Sequence, residues 1–307
     1  MKRHLTLCLL AMTLLLPGSV LAQEMLVGTY NIRYKNDGDS IKGDCWSKRC
    51  QVICDQMNFM SPAIFGTQEV LHTQLLDLLR GLRNYESIGV GRDDGETKGE
   101  YAAIFYDKNR IRLLDHGDFW LNETPDRPAL GWDAACIRIC TWGKFKDLKS
   151  GRKFYFFNLH MDHVGRVARR EAARLVVSKI REIAGNKPVV LTGDFNVDQT
   201  DEIYRIFTDS GILVDSYASA PVRFAENGTF NDFKPSLKTS SRIDHVFVSP
   251  SIRLEAYGVL TDSYWTPAAD SAQLQKAADA PQEISFSSYI RRNPSDHYPV
   301  MVRIRWK

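Results

Sequence analysis

Short apolar segments that end in a polar residue recur along this chain and constrain its fold more than any other feature. Eight of them have the length and the Val, Ile, Phe and Tyr content of buried strands. They lie at residues 25–32, 63–67, 101–106, 137–145, 154–160, 189–192, 245–248 and 300–306. Helical patterns at residues 48–60, 73–82 and 164–183 separate some of them, and Gly185 follows the last. Strands mixed with helices predict a layered α/β fold.

The first 22 residues have the pattern of a secretory signal peptide. Lys2 and Arg3 form a basic start, residues 5–16 are mostly apolar, and Val-Leu-Ala at residues 20–22 resembles a cleavage site. Pro17 interrupts the apolar run short of the roughly 20 residues that a membrane span needs. A lipid anchor at Cys8 is less favoured, because this cysteine lies early in the run and follows the bulky Leu7. We therefore expect an exported protein, periplasmic or extracellular, without a membrane span.

The rest of the chain is predicted to form one domain. Of 307 residues, 23–307 contain no Pro/Gly/Ser linker and no internal repeat. A stretch rich in Ala, Gln and Asp at residues 268–281 is typical of a surface insertion. We expect a monomer.

The net charge does not indicate a polyanionic partner. It is +3, and Lys2 and Arg3 supply two of these charges, which leaves +1 for residues 23–307. Nucleic-acid binders usually carry a clustered Lys/Arg face, whereas basic and acidic residues are interleaved here. Binding to nucleic acid is possible but not indicated.

Five cysteines follow the predicted signal peptide: Cys45, Cys50, Cys54, Cys136 and Cys140. An odd number leaves at least one unpaired unless it bonds another chain. Cys50 and Cys54 are one candidate zinc pair, but a second pair at ligand spacing is missing. A disulfide or buried thiols are favoured.

Polar residues with catalytic potential lie at or just beyond the ends of the predicted strands. A single carboxylate at such a position is often a loop residue or a helix cap. As a set, however, side chains at strand ends can converge in one cleft. The set comprises Asn31, Glu69, His160, Asp194, Asn196, Asp244, Asp296 and His297.

The sequence blocks around these residues resemble a known family. They are TYNI at residues 29–32, QEV at 68–70, GDFN at 193–196, RIDHVFV at 242–248 and SDHYPV at 295–300. In this order they are similar to the signature blocks of the endonuclease/exonuclease/phosphatase superfamily, the DNase I-like proteins. The resemblance extends from about residue 25 to the C-terminus. It implies a four-layer α/β sandwich, in which two packed mixed β-sheets are flanked by helices.

By that resemblance, Asn31 and Glu69 hold a catalytic Mg²⁺, and Asp296 helps to position it. Mg²⁺ prefers a few carboxylate and amide oxygens and keeps several waters, which leaves places for a phosphate oxygen. Mn²⁺ suits the same ligand types and can substitute.

The resemblance also assigns catalytic roles. His297 matches the catalytic histidine and Asp244 its carboxylate partner, which fixes the tautomer and stabilises the cation. Asp194 matches the residue that orients or deprotonates water, or supplies the leaving group's proton. Asn196 matches a donor to a phosphate oxygen, and Tyr101 and His160 match auxiliary phosphate contacts.

Two positions depart from the family pattern. Many DNA-directed members carry an Asp two residues after the first Asn, where this chain has Arg33. The missing carboxylate favours one metal over two. After Asp244 an aromatic residue is frequent, but His245 stands here, and a half-buried strand histidine is its simplest interpretation.

Three alternative functions are less favoured. His160-Met161-Asp162-His163 resembles part of the HxHxDH run of zinc hydrolases, but Asn158 replaces the first histidine. The cysteines lack a local signature of thiol catalysis. A non-catalytic binding module on the same fold is conceivable, yet every polar role in the family's site is filled by the expected residue type.

The sequence therefore predicts a Mg²⁺-dependent phosphatase or phosphodiesterase. A small phosphate ester is favoured over DNA or RNA, because a compact pocket needs only one or two cationic contacts to a phosphate. Arg49, Arg127, Trp132 and Arg166 are candidates to line that pocket.

We expect the mature protein to begin near Gln23 and to be found outside the cytoplasm, because residues 1–22 have the signal pattern. N-terminal sequencing of protein from cell fractions measures this. Intact Met1 on soluble cytoplasmic protein would contradict it.

Overall fold

The computed structural model describes residues 24–268, 273–274 and 279–307. The predicted signal peptide lies outside these residues, as does much of the predicted insertion at residues 268–281. Within the described part, no helix has the length and apolar character needed to cross a membrane.

The eight predicted strands and the three predicted helices all occur in the described structure, together with further elements that the sequence patterns did not predict. The strands are β1 (Glu24–Asn31), β2 (Ile64–Gln68), β3 (Tyr85–Ile88), β4 (Ile104–Asp107), β5 (Ile111–Trp120), β6 (Ile139–Asp147), β7 (Lys153–His160), β8 (Val189–Asp194), β9 (Val214–Asp215), β10 (Val222–Phe224), β11 (Asp244–Val248), β12 (Ile252–Val259), β13 (Tyr264–Pro267), β14 (Gln273–Leu274), β15 (Phe286–Ser287), β16 (Tyr289–Arg292) and β17 (Val300–Trp306). The helices are α1 (Asp37–Ile41), α2 (Trp46–Met60), α3 (His72–Gly81), α4 (Arg166–Ala184), α5 (Glu202–Thr208) and α6 (Ser216–Ser219).

Two mixed sheets form the centre of the molecule. The first has the order β10-β12-β17-β1-β2-β4-β3, and the second has the order β5-β6-β7-β8-β11-β9. In each, a parallel pair stands beside an antiparallel neighbour: β1 with β2 and β17, and β7 with β8, which also pairs with β11.

The sheets are apolar on both faces because one face of each packs against the other sheet and the opposite face packs against helices. In β7, Phe154 and Phe156 point into the core between the sheets, whereas Tyr155, Phe157 and Leu159 pack beneath the helices. This alternation follows from the two-residue period of a strand. Strands buried on both sides appear in a sequence as continuous apolar runs, which is why most were predictable.

Helices cover the two outer faces and complete the predicted four-layer sandwich. α2 and α3 pack on the first sheet through residues such as Ile53, Met57 and Leu78. α4 and α5 pack on the second sheet, with Val176 and Phe207 among their contacts. α4 ends at Gly185, whose φ of 55° is a left-handed value that glycine adopts readily. The fold class predicted from the sequence is confirmed.

The strands that sequence patterns missed are the more polar ones. β5 carries Asp115, His116 and Asp118 and is largely exposed along its middle. β12 alternates charged and apolar residues, and β3 is only four residues long. Their pairing partners, rather than their own composition, place them in the sheets.

A buried polar contact connects the two sheets. Asn158 of β7 is fully buried, and its Nδ2 donates to the carbonyl oxygens of Thr67 (2.8 Å) and Ala103 (3.0 Å) in the first sheet. Its Oδ1 accepts from Gln68 Nε2 (2.7 Å) and from Thr192 Oγ1 (3.0 Å). All four hydrogen-bonding positions of this amide are therefore filled.

We expect Asn158→Ala to lower the free energy of unfolding by about 3–5 kcal/mol, because several buried donors and acceptors lose their hydrogen-bond partner at once. Chemical denaturation measures the change, and Asn186→Ala, at an exposed turn position, is the matched control. A loss for Asn158→Ala no larger than that of the control would contradict the structural role.

Candidate active site

Strand pairing brings the predicted residues of the first sheet to one edge. β1 and β2 run in parallel with Asn31 beside Gln68, so that Asn31 and Glu69 lie at neighbouring strand ends. β17 runs antiparallel to β1 with Val300 opposite Thr29. Asp296 and His297, which precede β17, therefore reach the same edge.

The second sheet delivers its residues in the same way. β7 and β8 are parallel with His160 beside Asp194, and antiparallel β11 places Asp244 beside Asp194. Because the sheets face each other, both groups meet in one cleft. The shortest contacts between them join Asn31 to Asp194 and His297 to Asp244.

His297 and Asp244 form a buried ion pair. His297 Nδ1 donates to Asp244 Oδ2 at 2.8 Å, and its Nε2 lies 3.8 Å from Asp194 Oδ2. Burial alone would lower the pKa of His297, but the charges of Asp244 and Asp194 outweigh it and hold this pKa well above its usual value. His297 is therefore a cation whose Nε2 faces the carboxylate of Asp194.

Asp194 is fully enclosed by the site. Burial raises its pKa to about 7, and the charge of Asp244 acts in the same direction, while His297 and the hydrogen bond from Asn31 oppose them. A carboxyl group that titrates near neutrality can accept or return a proton at physiological pH.

The amide of Asn31 connects the two groups of side chains. Its Nδ2 donates to Glu69 Oε1 (3.0 Å) and to Asp194 Oδ2 (2.9 Å), and its Oδ1 accepts from the backbone N–H of Arg33 (3.0 Å). Asn31 has no exposed surface. It therefore fixes the distance between Glu69 and Asp194.

His160 differs from His297 in its protonation state. Burial and the cations Arg138 and Arg92 lower its pKa well below the usual value, so its ring is neutral. Its Nε2 lies 3.3 Å from Asn196 Nδ2, which also donates to the carbonyl of Met161 (3.0 Å). Its Nδ1 has no hydrogen-bond partner among the described residues.

These side chains border a cleft of about 830 Å³. Its lining includes Glu69, His160, Asp194, Asn196, Asp296 and His297, all predicted from the sequence. The structure adds residues that sequence analysis had not placed in the site, chiefly Arg92, Glu100, Arg138, His163 and Phe230. Arg92, Glu100, Arg138 and Phe230 come from loops and strand starts without a recognisable motif, whereas His163 belongs to the partial zinc motif noted in the sequence. Arg33 was noted only as a departure, although its position two residues after Asn31 was a signal.

The predicted pocket residues are located elsewhere. Arg49 is fully buried and donates to the carbonyl oxygens of Asp44, Ile32, Pro294 and Arg33 at 2.7–3.2 Å. These hydrogen bonds hold together the chain segments that precede and follow the site residues. Arg49 is not part of the cleft lining.

Arg127, Trp132 and Arg166 also lie outside the cleft lining. Arg127 is exposed and lies 3.4 Å from Thr124 Oγ1, and Trp132 donates its backbone N–H to Glu123. Arg166 starts α4 beside Glu202. Tyr101 is buried next to the cleft, where its hydroxyl donates to the carbonyl of Glu96 (2.9 Å).

The structure also shows the surroundings of His245 and of the cysteines. His245 is fully buried rather than half-buried as expected, because it packs among Phe195, Tyr204 and Phe247. Its Nε2 donates to the carbonyl oxygen of Val197 at 2.8 Å. The five described cysteines are all free.

The partial zinc motif contributes to loop structure. Asp162 accepts backbone N–H groups from Ala135, Cys136, Val164 and Gly165, so both of its oxygens are engaged. His163 Nδ1 lies 2.9 Å from Arg138 Nη2. These contacts favour a loop anchor over a metal site at this motif.

A metal ion fits better at the centre of the cleft. Potential ligand atoms of Glu69, Asp194 and His297 lie within 4.8 Å of one another. Because protonated His297 has no free lone pair, the carboxylates are the groups here that could hold an ion. Burial raises the pKa of Asp296 to about 6, with the charge of Glu69 adding to the effect and that of His297 opposing it. Closely spaced buried carboxylates of this kind are stabilised by a cation.

Comparisons with known proteins agree with this geometry. A sequence model described as the endonuclease/exonuclease/phosphatase family matches residues 28–297. Nocturnin of Drosophila melanogaster is 23% identical over 268 residues, or 83% of this chain, but the chain spans only 40% of its length.

Two solved structures from Bacteroides thetaiotaomicron are more similar. One is a family protein of that kind, with 46% identity and a TM-score of 0.86, covering 93% of this chain and 99% of its own. The other is a mannosyl-6-phosphatase, with 47% identity and a TM-score of 0.85, covering 92% of this chain and 100% of its own. This chain therefore belongs to the endonuclease/exonuclease/phosphatase family and is a phosphoester hydrolase.

Proposed function

We propose that this protein is a Mg²⁺-dependent phosphatase that removes the terminal phosphate from a phosphorylated sugar, such as a mannose 6-phosphate unit. The observation that carries the proposal is the convergence of Glu69, Asp194, His297 and Asp296 in one cleft. The 47% identity to a mannosyl-6-phosphatase over nearly the whole chain supports the sugar phosphate.

The site chemistry suits a hard divalent ion. Carboxylate and amide oxygens are the ligands that Mg²⁺ and Mn²⁺ prefer, and they dominate this part of the cleft. Glu69 and Asp296 would hold the ion, and Asn31 Oδ1 would add an amide oxygen. When bound, the ion would neutralise charge that develops on the phosphate oxygens.

Side chains of the protein would supply the proton transfer and the hydrogen bonds to the phosphate. Asp194, with a pKa near neutrality, would accept a proton from the attacking water. Cationic His297 would donate from Nε2 to the phosphate, and Asp244 would keep it protonated.

Asn196 and neutral His160 would offer further donors on the other side of the phosphate. Nε2 is the ring nitrogen of His160 that lies beside Asn196 and Asp194, whereas Nδ1 is buried and lies 3.9 Å from Glu100 Oε2. Arg127, Trp132 and Arg166 have no part in this arrangement, since they lie outside the cleft lining. Tyr101 lies next to the cleft, and its hydroxyl contacts the carbonyl oxygen of Glu96 and His72 Nδ1.

We expect the purified protein with Mg²⁺ to release phosphate from mannose 6-phosphate, and excess chelator to abolish the activity until Mg²⁺ or Mn²⁺ is restored. Glu69→Gln should weaken Mg²⁺ binding by about 10-fold or more, because a ligand charge is lost. Phosphate release and calorimetric Mg²⁺ titration measure the two effects.

Glu182→Gln, on the exposed face of α4, is the matched control for the lost carboxylate. Full activity in excess chelator would rule out the metal. Rapid cleavage of plasmid DNA without turnover of sugar phosphates would rule out the small substrate and favour a nuclease.

We expect His297→Ala to lower kcat by about 10²- to 10⁴-fold, the range for loss of a proton-transfer group. Asp244→Asn should cost less, because the imidazole remains in the cleft. Steady-state kinetics on mannose 6-phosphate test both, with exposed His116→Ala as the matched control. A His297→Ala enzyme within a few-fold of the native rate would refute the assignment.

A further inference from the structure

Arg33 lies in the cleft, and the proposed function leaves it without a role. It follows Asn31 by two residues, and its backbone has a φ of 59°. This left-handed conformation is uncommon for a side chain as large as arginine. Because its N–H donates to Asn31 Oδ1 at 3.0 Å, the position of Arg33 is tied to that of a proposed metal ligand.

One edge of the Arg33 guanidinium is fixed by a buried carboxylate. Its Nε donates to Asp39 Oδ2 at 2.9 Å. Asp39 is held in turn by Asn36, whose Nδ2 donates to the same oxygen at 2.6 Å. The Tyr34 ring lies 4.8 Å from the guanidinium carbon. These contacts orient the side chain before any substrate enters.

The other edge of the guanidinium faces the proposed metal site. Nη1 lies 3.5 Å from Asp296 Oδ2 and 4.0 Å from Glu69 Oε2, both longer than an ordinary N–H···O hydrogen bond. The side chain keeps 28% of its surface exposed. Arg33 therefore presents a cation to the cleft beside the two carboxylates, with donors that they do not fully engage.

This geometry suits a phosphate with more than one negative charge. A terminal phosphate carries about −1.5 to −2 at neutral pH, whereas a diester carries about −1 because its second oxygen is alkylated. A guanidinium offers paired N–H donors that match two phosphate oxygens. A diester also has two free oxygens, but they share a single negative charge, so the guanidinium gains more from the doubly charged monoester.

We propose that Arg33 is a specificity-determining residue that binds the second negative charge of a terminal phosphate and so selects monoesters over diesters. The proposal rests on the phosphatase function proposed above. It assigns the choice between the two ester classes to a residue that is separate from the groups handling the proton and the water.

A pair of substrates with one leaving group tests this. p-Nitrophenyl phosphate and methyl p-nitrophenyl phosphate differ by one methyl group and by one negative charge. Arg33→Ala should lower kcat/KM for the monoester by about 10- to 100-fold, the range for a lost charge-assisted hydrogen bond, and for the diester by only a few-fold. Arg33→Lys, which keeps the charge but loses the fork, should retain part of the preference.

Binding of inorganic phosphate at saturating Mg²⁺, measured by calorimetry, provides a second readout that needs no turnover. Arg33→Ala should weaken it by about 10-fold or more. Arg174→Ala is the matched control, because Arg174 is an exposed arginine that also pairs with a carboxylate, Glu171.

The two readouts separate the two proposals. If the native protein hydrolyses neither these esters nor mannose 6-phosphate, the phosphatase function fails, and phosphate binding alone decides the role of Arg33. Equal losses on both esters, or phosphate binding unchanged from that of the control, would overturn the proposal and leave Arg33 as a counterion of Asp39 and Asp296.

Discussion

The arrangement of the cleft depends on the hydrogen bonds of the Asn158 side-chain amide, whose donors and acceptor positions are all filled. Two sheets packed through apolar side chains alone can slide with little directional cost, because apolar packing is not directional. Asn158 sets their relation through three hydrogen bonds that cross between the sheets, and a Cβ at Gly66 would collide with its side chain. Its partners Gln68 and Thr192 lie just before Glu69 and Asp194 in sequence, so the contact that joins the sheets also positions the strand ends that carry the site.

From that fixed geometry follows an electrostatic division within one cleft. The charges of Asp244 and Asp194 raise the pKa of His297. Burial lowers the pKa of His160, and the charges of Arg138 and Arg92 add to this effect, although its Nε2 lies 3.5 Å from Asp194 Oδ2. One histidine is thus protonated and the other neutral in the same cleft. Asn31 spans the gap by bonding both Glu69 and Asp194, so a displacement of either sheet would alter both halves of the site together.

The residues that sequence analysis located are those at the ends of buried strands. Asn31, Asp194 and His297 follow or precede apolar runs, and the order of their motifs indicates the family. Arg92 and Arg138 gave no such signal, since nothing in a loop sequence shows which way it folds over a sheet. The prediction that Arg49 lines a pocket is wrong, because its sequence position does not show which backbone carbonyls it meets in the fold. Its use as a buried donor to four backbone carbonyls depends on chain segments as far apart as Ile32 and Pro294.

This division has a physical basis that extends to substrate choice. Strand ends are held by ladders of hydrogen bonds and change little when surface residues change, so they suit the groups that must stay within tenths of an ångström of the phosphate. Loop and strand-start residues such as Arg92, Arg138 and Phe230 border the same cleft under weaker constraints. Arg33 belongs to both groups, because its backbone is bonded to Asn31 while its guanidinium is anchored by α1 through Asp39. A change at this single position can therefore alter which phosphate is bound without moving the residues that act on it.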